Sequence, residues 1–209
     1  MDCEVLAEQR PALIMMMTSL PLTTSLAILF EPSSILSLVL EPQLSSLLES
    51  QPPPSYARLV DLSLDIIGKW DIPSQSEFIS GHPRIGESKN LSTLSAQEQG
   101  ATAMTDPTPP EVLERLRHLN ACYEAQYPGL RYITFVNGRS RAAIAQEMEN
   151  VLGIQHSHLP DTPPVDGFKL KAYDQSDERW LAELKRAVDD VGKIARSRLR
   201  TLNEQAVEN

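Results

Sequence analysis

One histidine of the chain stands in a setting that suits proton chemistry. His82 lies between Gly81 and Pro83 in the stretch "GHPRIG". A following proline disfavours helical backbone and glycines allow close turns, so His82 is expected on a rigid loop. Because an unperturbed imidazole has a pKa of about 6.5, it can accept or donate a proton at physiological pH. A histidine that caps a helix or bonds a loop carbonyl is the structural alternative.

A carboxylate follows His82 in the stretch "SAQEQ" at 95–99. Ser95 and Glu98 have the spacing of a capping box, in which hydroxyl and carboxylate each bond the other residue's backbone amide. In that interpretation Ser95 and Glu98 have a structural role and no catalytic one. The functional interpretation places Glu98 near a helix start, where the helix dipole favours an ionised carboxylate, with Gln99 beside it as a hydrogen-bonding group.

Other residues that carry chemistry give weaker signals. The two histidines of "HSH" at 156–158 have no cysteine nearby, so no metal site is predicted there. Arg131, Arg139 and Arg141 form a basic cluster that suits bidentate binding of a carboxylate, although a solvated turn accounts for them equally well. The chain contains no phosphate-cradling glycine loop, zinc-protease helix or serine nucleophile elbow.

The composition excludes some classes of function. The 209 residues carry a net charge of −9, with 19 basic and 28 acidic side chains, which argues against non-specific nucleic-acid binding. Hydrophobic residues make up 41% and aromatic residues only 5%, so the core is expected to be mainly aliphatic. Cys3 and Cys122 show neither disulfide nor metal spacing, which indicates a reduced intracellular protein.

The two ends of the chain show no clear targeting signal. Residues 1–20 are predicted to form a disordered extension, because acids precede its apolar run and Pro11 and Pro21 interrupt it. That run is also too short to span a membrane, so no membrane partner is expected. The C-terminal "NEQAVEN" contains no recognisable sorting tripeptide.

The elements that must position these residues are predicted to be helices. Apolar spacing favours six or seven helices and at most one short extended segment, "RYITFV" at 131–136. The helices are expected within 33–49 with a break at Pro42, and at 55–70, 95–104, 109–126, 140–152 and 176–203. Residues 71–94 are expected to be irregular, and Thr108 and Glu111 to form a capping box before the fourth of these segments.

These elements predict one all-α domain. We expect a single-domain helical bundle over residues 21–203, with a long loop at 153–174 and a C-terminal tail at 204–209. The apolar stripe of the last helix fits the core of the bundle and a homodimer interface equally well.

Taken in order, the motifs resemble those of the OHCU decarboxylase family. Members of that family decarboxylate 2-oxo-4-hydroxy-4-carboxy-5-ureidoimidazoline to (S)-allantoin during uric acid breakdown. The segments that carry the resemblance are "LFEPS" at 29–33, "GHPRIG" at 81–86, "SAQEQ" at 95–99, "LNACYEAQYPGLRYITFVNGRSRAAI" at 119–144 and "AVDDVGKIARSRL" at 187–199. A His-Pro pair followed by Ser-x-x-Glu-Gln is the most specific part.

The resemblance implies a role for each site residue. His82 is implied to be the catalytic histidine and Glu98 its acidic partner. The residues implied to bind the ureidoimidazoline substrate are Pro83, Ser95, Gln99, Arg131, Tyr132, Ile133 and Thr134. The resemblance also implies that no metal or organic cofactor takes part, and that the protein is cytoplasmic or peroxisomal.

One departure from the family pattern leaves other functions open. Val151 stands at the approximate place of an arginine that many members carry. Arg131, Arg139 or Arg141 is then expected to supply the missing charge. Otherwise the chain is a non-catalytic homologue that binds a ureide or a protein partner, or a generic helical interaction module.

Overall fold

Helices account for the regular structure of the chain. A computed structural model describes residues 20–50, 53, 55–87, 92–98, 108–156, 161–162, 165 and 171–208. These residues form α1 (Leu22–Phe30), a π-helical segment (Leu36–Leu40), α2 (Glu41–Ser50), α3 (Tyr56–Ile67), α4 (Ile72–Ser80), α5 (Thr93–Glu98), α6 (Pro110–Gln126), α7 (Arg141–Leu152) and α8 (Glu178–Glu208). They contain no β-strand, which confirms the predicted all-α class.

Two of these helices were not predicted. Helix α1 lies in a stretch for which the sequence predicts no particular helix, and α4 lies within the segment 71–94, for which it predicts irregular structure. Helix α4 carries clear start signals, because the Asp71 carboxylate accepts a hydrogen bond from the Ser74 amide at 3.0 Å and Pro73 lies in the first turn. Its sequence, "IPSQSEFIS", has too few apolar residues to show a helical period.

The capping box predicted at Thr108 and Glu111 is not formed. Helix α6 begins after Pro109, and no side chain caps it. The hydroxyl of Thr108 instead accepts a hydrogen bond from Arg141 Nη1 at 3.2 Å. Pro109 occupies the capping position and has neither a side-chain acceptor nor an N–H to receive the returning carboxylate.

The last helix is longer than predicted. Helix α8 continues to Glu208, so the segment 204–208, expected to be a tail, is helical. The end of this sequence contains neither glycine nor proline that would stop a helix at 203. The predicted extension at 1–20, apart from Leu20, and half of the loop at 153–174 lie outside the described residues.

Helix α8 organises the core. It packs against α1, α3 and α4, while α6 and α7 pack against each other. The buried apolar stripe of α8 consists of Trp180, Leu184, Ala187, Val188, Val191, Ala195 and Leu199. Since this stripe lies against helices of the same chain, it serves the core. None of the described helices is long and apolar enough to cross a membrane.

Helix α2 offers a matched test of this packing. Leu44 is fully buried, whereas Leu47, three residues further on, is 46% exposed. Leu44→Ala is expected to lower the free energy of unfolding by about 2–5 kcal/mol, because it opens a cavity in the core. Leu47→Ala is expected to change it by about 0.5 kcal/mol or less. Urea denaturation followed by circular dichroism measures both, and equal effects would contradict the packing of α2.

Candidate functional site

Residues from five distant parts of the sequence line one cavity. It has a volume of about 370 Å³ and lies between the loop after α4, helix α5, the extended stretch before α7 and the C-terminal half of α8. The lining residues are Glu31, His82, Pro83, Ile85, Leu94, Ser95, Gln97, Glu98, 132–138, Ile194, Ser197, Arg198 and Thr201. Seven of the predicted site residues are among them: His82, Pro83, Ser95, Glu98, Tyr132, Ile133 and Thr134.

The orientation of His82 follows from its position just beyond α4. Its Nδ1 lies 3.0 Å from the carbonyl oxygen of Phe78, one turn earlier in the chain. Because a carbonyl only accepts, Nδ1 must carry the proton and Nε2 the free lone pair. Nε2 is buried and has no hydrogen-bond partner within the described part of the chain. The imidazole therefore presents an unused acceptor in the wall of the cavity.

The burial of His82 determines its charge. Its removal from water lowers the pKa of His82 to about 4, although the hydrogen bond to Phe78 opposes that change. The positive charge of Arg198 adds to the lowering. The sequence predicted a histidine that titrates at physiological pH, but in this environment the ring stays neutral there. The reason is burial, which the local sequence does not reveal.

The pKa of His82 predicts an effect on stability. Its folded-state pKa of about 4 lies below the unfolded value of about 6.5, so the unfolded state binds the proton first as pH falls. His82 is therefore expected to cost about 3 kcal/mol of stability between pH 6.5 and 4. His82→Gln keeps a polar side chain without this titration. Its free energy of unfolding should fall less steeply over that range, as measured by urea denaturation, and parallel curves would contradict the assignment.

Arg198 is the centre of the polar network in the cavity. Its side chain is only 2% exposed. Nη2 donates to Glu31 Oε1 at 2.5 Å, to Ser95 Oγ at 2.9 Å and to Glu98 Oε2 at 2.9 Å. Nε donates to Glu98 Oε1, also at 2.9 Å, so the guanidinium holds the Glu98 carboxylate in bidentate fashion. The Glu98 carboxylate, expected to partner His82, is thus bound to Arg198.

Arg198 also holds the end of helix α1. Its Nη1 donates to the carbonyl oxygens of Ile28 at 3.1 Å and Leu29 at 3.4 Å. A cation at a helix C-terminus satisfies carbonyls that lack a helical partner. The next residue beyond α1, Glu31, has a φ of 66°, which is uncommon for a residue other than glycine. In this conformation its carboxylate is bonded to Arg198 and Ser95.

Glu31 has a charge environment of its own. Burial by itself would raise the pKa of Glu31, but Arg198 and the hydroxyls of Ser95 and Ser92 outweigh that effect and hold the pKa below its ordinary value. The Ser95 and Ser92 hydroxyls donate to Glu31 Oε1 at 2.5 and 2.8 Å. Two carboxylates, those of Glu31 and Glu98, therefore share one guanidinium.

The capping box predicted at Ser95 and Glu98 is not formed. Helix α5 begins at Thr93, and the Ser92 hydroxyl caps it by accepting from the Ser95 amide at 3.1 Å. Ser95 thus lies inside the helix, and its hydroxyl is free to bond Glu31 and Arg198. The predicted site residue Gln99 lies outside the described residues.

The basic residues expected to bind substrate lie elsewhere. Arg131 is not in the cavity wall, and its Nη1 donates to the backbone oxygen of His82. Arg139 binds the Glu147 carboxylate and Arg141 the Thr108 hydroxyl. None of the three arginines lines the cavity.

The possible metal ligands of "HSH" are not gathered into a site. His156 Nδ1 lies 2.5 Å from Glu149 Oε2, and Glu149 also binds Arg115. His158 lies outside the described residues. Among the residues that the structure describes, no group of three or more metal-ligating side chains is found.

Sequence reasoning missed two residues of the site, Glu31 and Arg198. Both lie inside quoted motifs, "LFEPS" and "AVDDVGKIARSRL", but no role was assigned to them. Helical spacing offered a signal for Arg198, since it follows Val191 and Ala195 on the apolar stripe of α8. The neighbouring arginine on the same helix, Arg200, is exposed.

The fold and the cavity define an all-helical protein with a neutral buried histidine beside a carboxylate–guanidinium network. The sequence profile of the family described as OHCU decarboxylase matches residues 21–157. The match spans more than half of the chain, and the chain belongs to the OHCU decarboxylase family. No curated protein matches the chain. The family match includes Glu31, His82 and Glu98, whereas Arg198 follows it on α8.

Removal of the central cation tests the network. Arg198→Met leaves the buried carboxylate of Glu31 and the half-buried carboxylate of Glu98 without their counter-charge, which is expected to cost about 3–5 kcal/mol of stability. Arg200→Met, on the exposed face of the same helix, is expected to cost about 0.5 kcal/mol or less. Denaturant unfolding of both variants at neutral pH provides the comparison. Similar stabilities would mean that Arg198 does not hold the network together.

Proposed function

We propose that the protein decarboxylates 2-oxo-4-hydroxy-4-carboxy-5-ureidoimidazoline to (S)-allantoin during uric acid degradation. The observation that carries this proposal is the unpartnered Nε2 of His82 in a cavity wall that also contains Glu98, in a member of the OHCU decarboxylase family. A cavity of about 370 Å³ suits a ligand of this small size.

His82 acts on the hydroxyl group of the substrate. Its Nε2 accepts a hydrogen bond from that hydroxyl, while the bond from Nδ1 to the Phe78 carbonyl fixes the ring and its tautomer. The substrate carboxylate is thereby held out of the plane of the imidazoline ring. When the carbon–carboxylate bond breaks, CO₂ leaves and the electron pair moves into the ring's own imine.

Glu98 supplies the proton that the reaction consumes. Loss of CO₂ leaves an enol, which becomes (S)-allantoin when the ureido-bearing carbon gains a proton and the hydroxyl becomes the ring carbonyl. His82 takes up the hydroxyl proton, and the ring nitrogen that received the electron pair accepts it. The side chain of Glu98 is 27% exposed, so it can take a proton from solvent and deliver it to one face of the ring. Delivery to one face accounts for a single stereoisomer.

A second function is favoured by the residue at the family's arginine position. Val151 lies on α7, packs against the hydrophobic core and is not in the cavity wall. The arginine that does line the cavity, Arg198, is already bound to Glu31 and Glu98. The alternative is therefore a homologue that binds a ureide in this cavity without turning it over.

The decisive experiment follows the circular dichroism of freshly generated substrate with and without the protein. The wild type is expected to produce an (S)-allantoin signal above the racemic spontaneous background. His82→Ala should reduce the rate by about 100-fold or more, as expected for loss of a positioned acid–base group. His156→Ala is the matched control, because His156 lies outside the cavity wall and its side chain is 56% exposed.

Each outcome decides between the two functions. A signal that is lost in His82→Ala and kept in His156→Ala supports the decarboxylase. An enzyme that retains full activity in His82→Ala does not use this site. Binding of (S)-allantoin by calorimetry with no turnover supports the ureide-binding homologue.

A further inference from the structure

The extended stretch 131–136 has an unusual backbone environment. It lines the cavity over most of its length, yet the described residues form no sheet, so none of them belongs to a strand that could satisfy its peptide groups. The carbonyl oxygen of Ile133 is satisfied by a side chain instead. Arg186 Nη1, on α8, donates to it at 2.7 Å. Arg186 thus supplies the hydrogen-bond donor that a neighbouring strand would supply in a sheet.

Arg186 is itself held firmly. Its Nη2 and Nε donate to the two oxygens of Glu183 at 2.6 and 2.9 Å, and its Nη1 lies 3.1 Å from Asp190 Oδ2. Glu183 is fixed in turn by the hydroxyl of Tyr123 at 2.8 Å. The guanidinium also lies over the ring of Tyr132, 5.0 Å from its centroid.

The side chains of the stretch are fixed as well. The hydroxyls of Tyr132 and Thr134 both donate to Glu147 Oε1, at 2.6 and 3.0 Å. Residues two apart that reach the same carboxylate are typical of extended backbone. The peptide between Ile133 and Thr134 is therefore held by Arg186 at its carbonyl and by Glu147 through the flanking side chains.

The direction of the Thr134 N–H follows from peptide geometry. In a planar trans peptide the C=O and the N–H point in opposite directions. The Ile133 carbonyl points at Arg186, which is not in the cavity wall, whereas Ile133 and Thr134 both are. The Thr134 N–H thus points away from Arg186, in a peptide whose two residues both line the cavity. In the described part of the chain, no backbone carbonyl accepts it.

We infer that Arg186 is a positioning residue, which holds the Ile133–Thr134 peptide so that the Thr134 N–H donates to an oxygen of the bound substrate. The cation on the carbonyl side polarises the same peptide and makes its N–H a stronger donor. This inference rests on the proposed function for the identity of the ligand. The placement of the peptide by Arg186 can be tested without it.

Kinetics on the wild-type protein and three variants test the catalytic consequence. Arg186→Gln removes the cation, and kcat is expected to fall by about 100-fold with little change in KM, because the misplaced donor acts mainly in the transition state. Arg186→Lys keeps a cation and one donor and should recover about tenfold of that loss. Arg196→Gln is the control. Arg196 is on the same helix as Arg186, and it pairs with Asp61 of α3 at the surface. Activity of Arg186→Gln that falls only in proportion to its folded fraction would overturn the inference.

A second measurement does not depend on turnover. In ligand-free, isotope-labelled protein, Arg186→Gln should shift the amide resonances of Thr134 more than Arg196→Gln does. Titration with (S)-allantoin should then move the Thr134 amide proton of the wild type downfield and leave it unmoved in Arg186→Gln. An unchanged Thr134 amide in ligand-free Arg186→Gln overturns the inference. If the wild type lacks turnover but Thr134 responds as expected, the decarboxylase proposal fails and the positioning by Arg186 stands.

Discussion

The buried guanidinium of Arg198 is the interaction on which the cavity depends. On α8, it binds the C-terminal end of α1 and the Glu31 carboxylate that follows it, and the Ser95 hydroxyl and the Glu98 carboxylate of α5, so it joins three separate segments of the chain. A buried charge is costly unless it is fully paired. A shift of any of these segments would leave the guanidinium or one of the carboxylates without its partner, so the segments are held together. The geometry of the cavity is thus coupled to the folding of α8.

The same physical principle explains the state of His82. Its ring is buried near the Arg198 cation, and its Nδ1 is bonded to the Phe78 carbonyl of α4. Of the two ring nitrogens, only Nε2, with its lone pair, has no partner in the described part of the chain. Burial lowers its pKa, so the histidine is a neutral acceptor over the physiological range rather than a group that changes charge there. Arg131, which is not in the cavity wall, donates to the backbone oxygen of this histidine. A neutral acceptor suits the proposed reaction, in which the substrate carries the negative charge.

Helix α8 contributes to both walls of the cavity by different means. Near its C-terminal end Arg198 binds carboxylates, and three turns earlier Arg186 binds the backbone of the extended stretch. An extended segment outside a sheet needs partners for its peptide groups, and charged side chains that are themselves paired can supply them in a fixed geometry. Helix α8 therefore fixes the relative positions of the loop that carries His82, helix α5 and the extended stretch.

Local patterns in the sequence determined the helical class, most of the helix positions and the residues His82, Ser95 and Glu98, because apolar period and motif spacing are properties of neighbouring residues. Helices α1 and α4 were missed since each is short and weakly periodic. Three facts required the tertiary structure: the pKa of His82, the pairing of Glu98 with Arg198 and the absence of Arg131 from the cavity wall. Burial and ion pairing depend on groups far apart in the chain, and only the folded packing decides which of them meet.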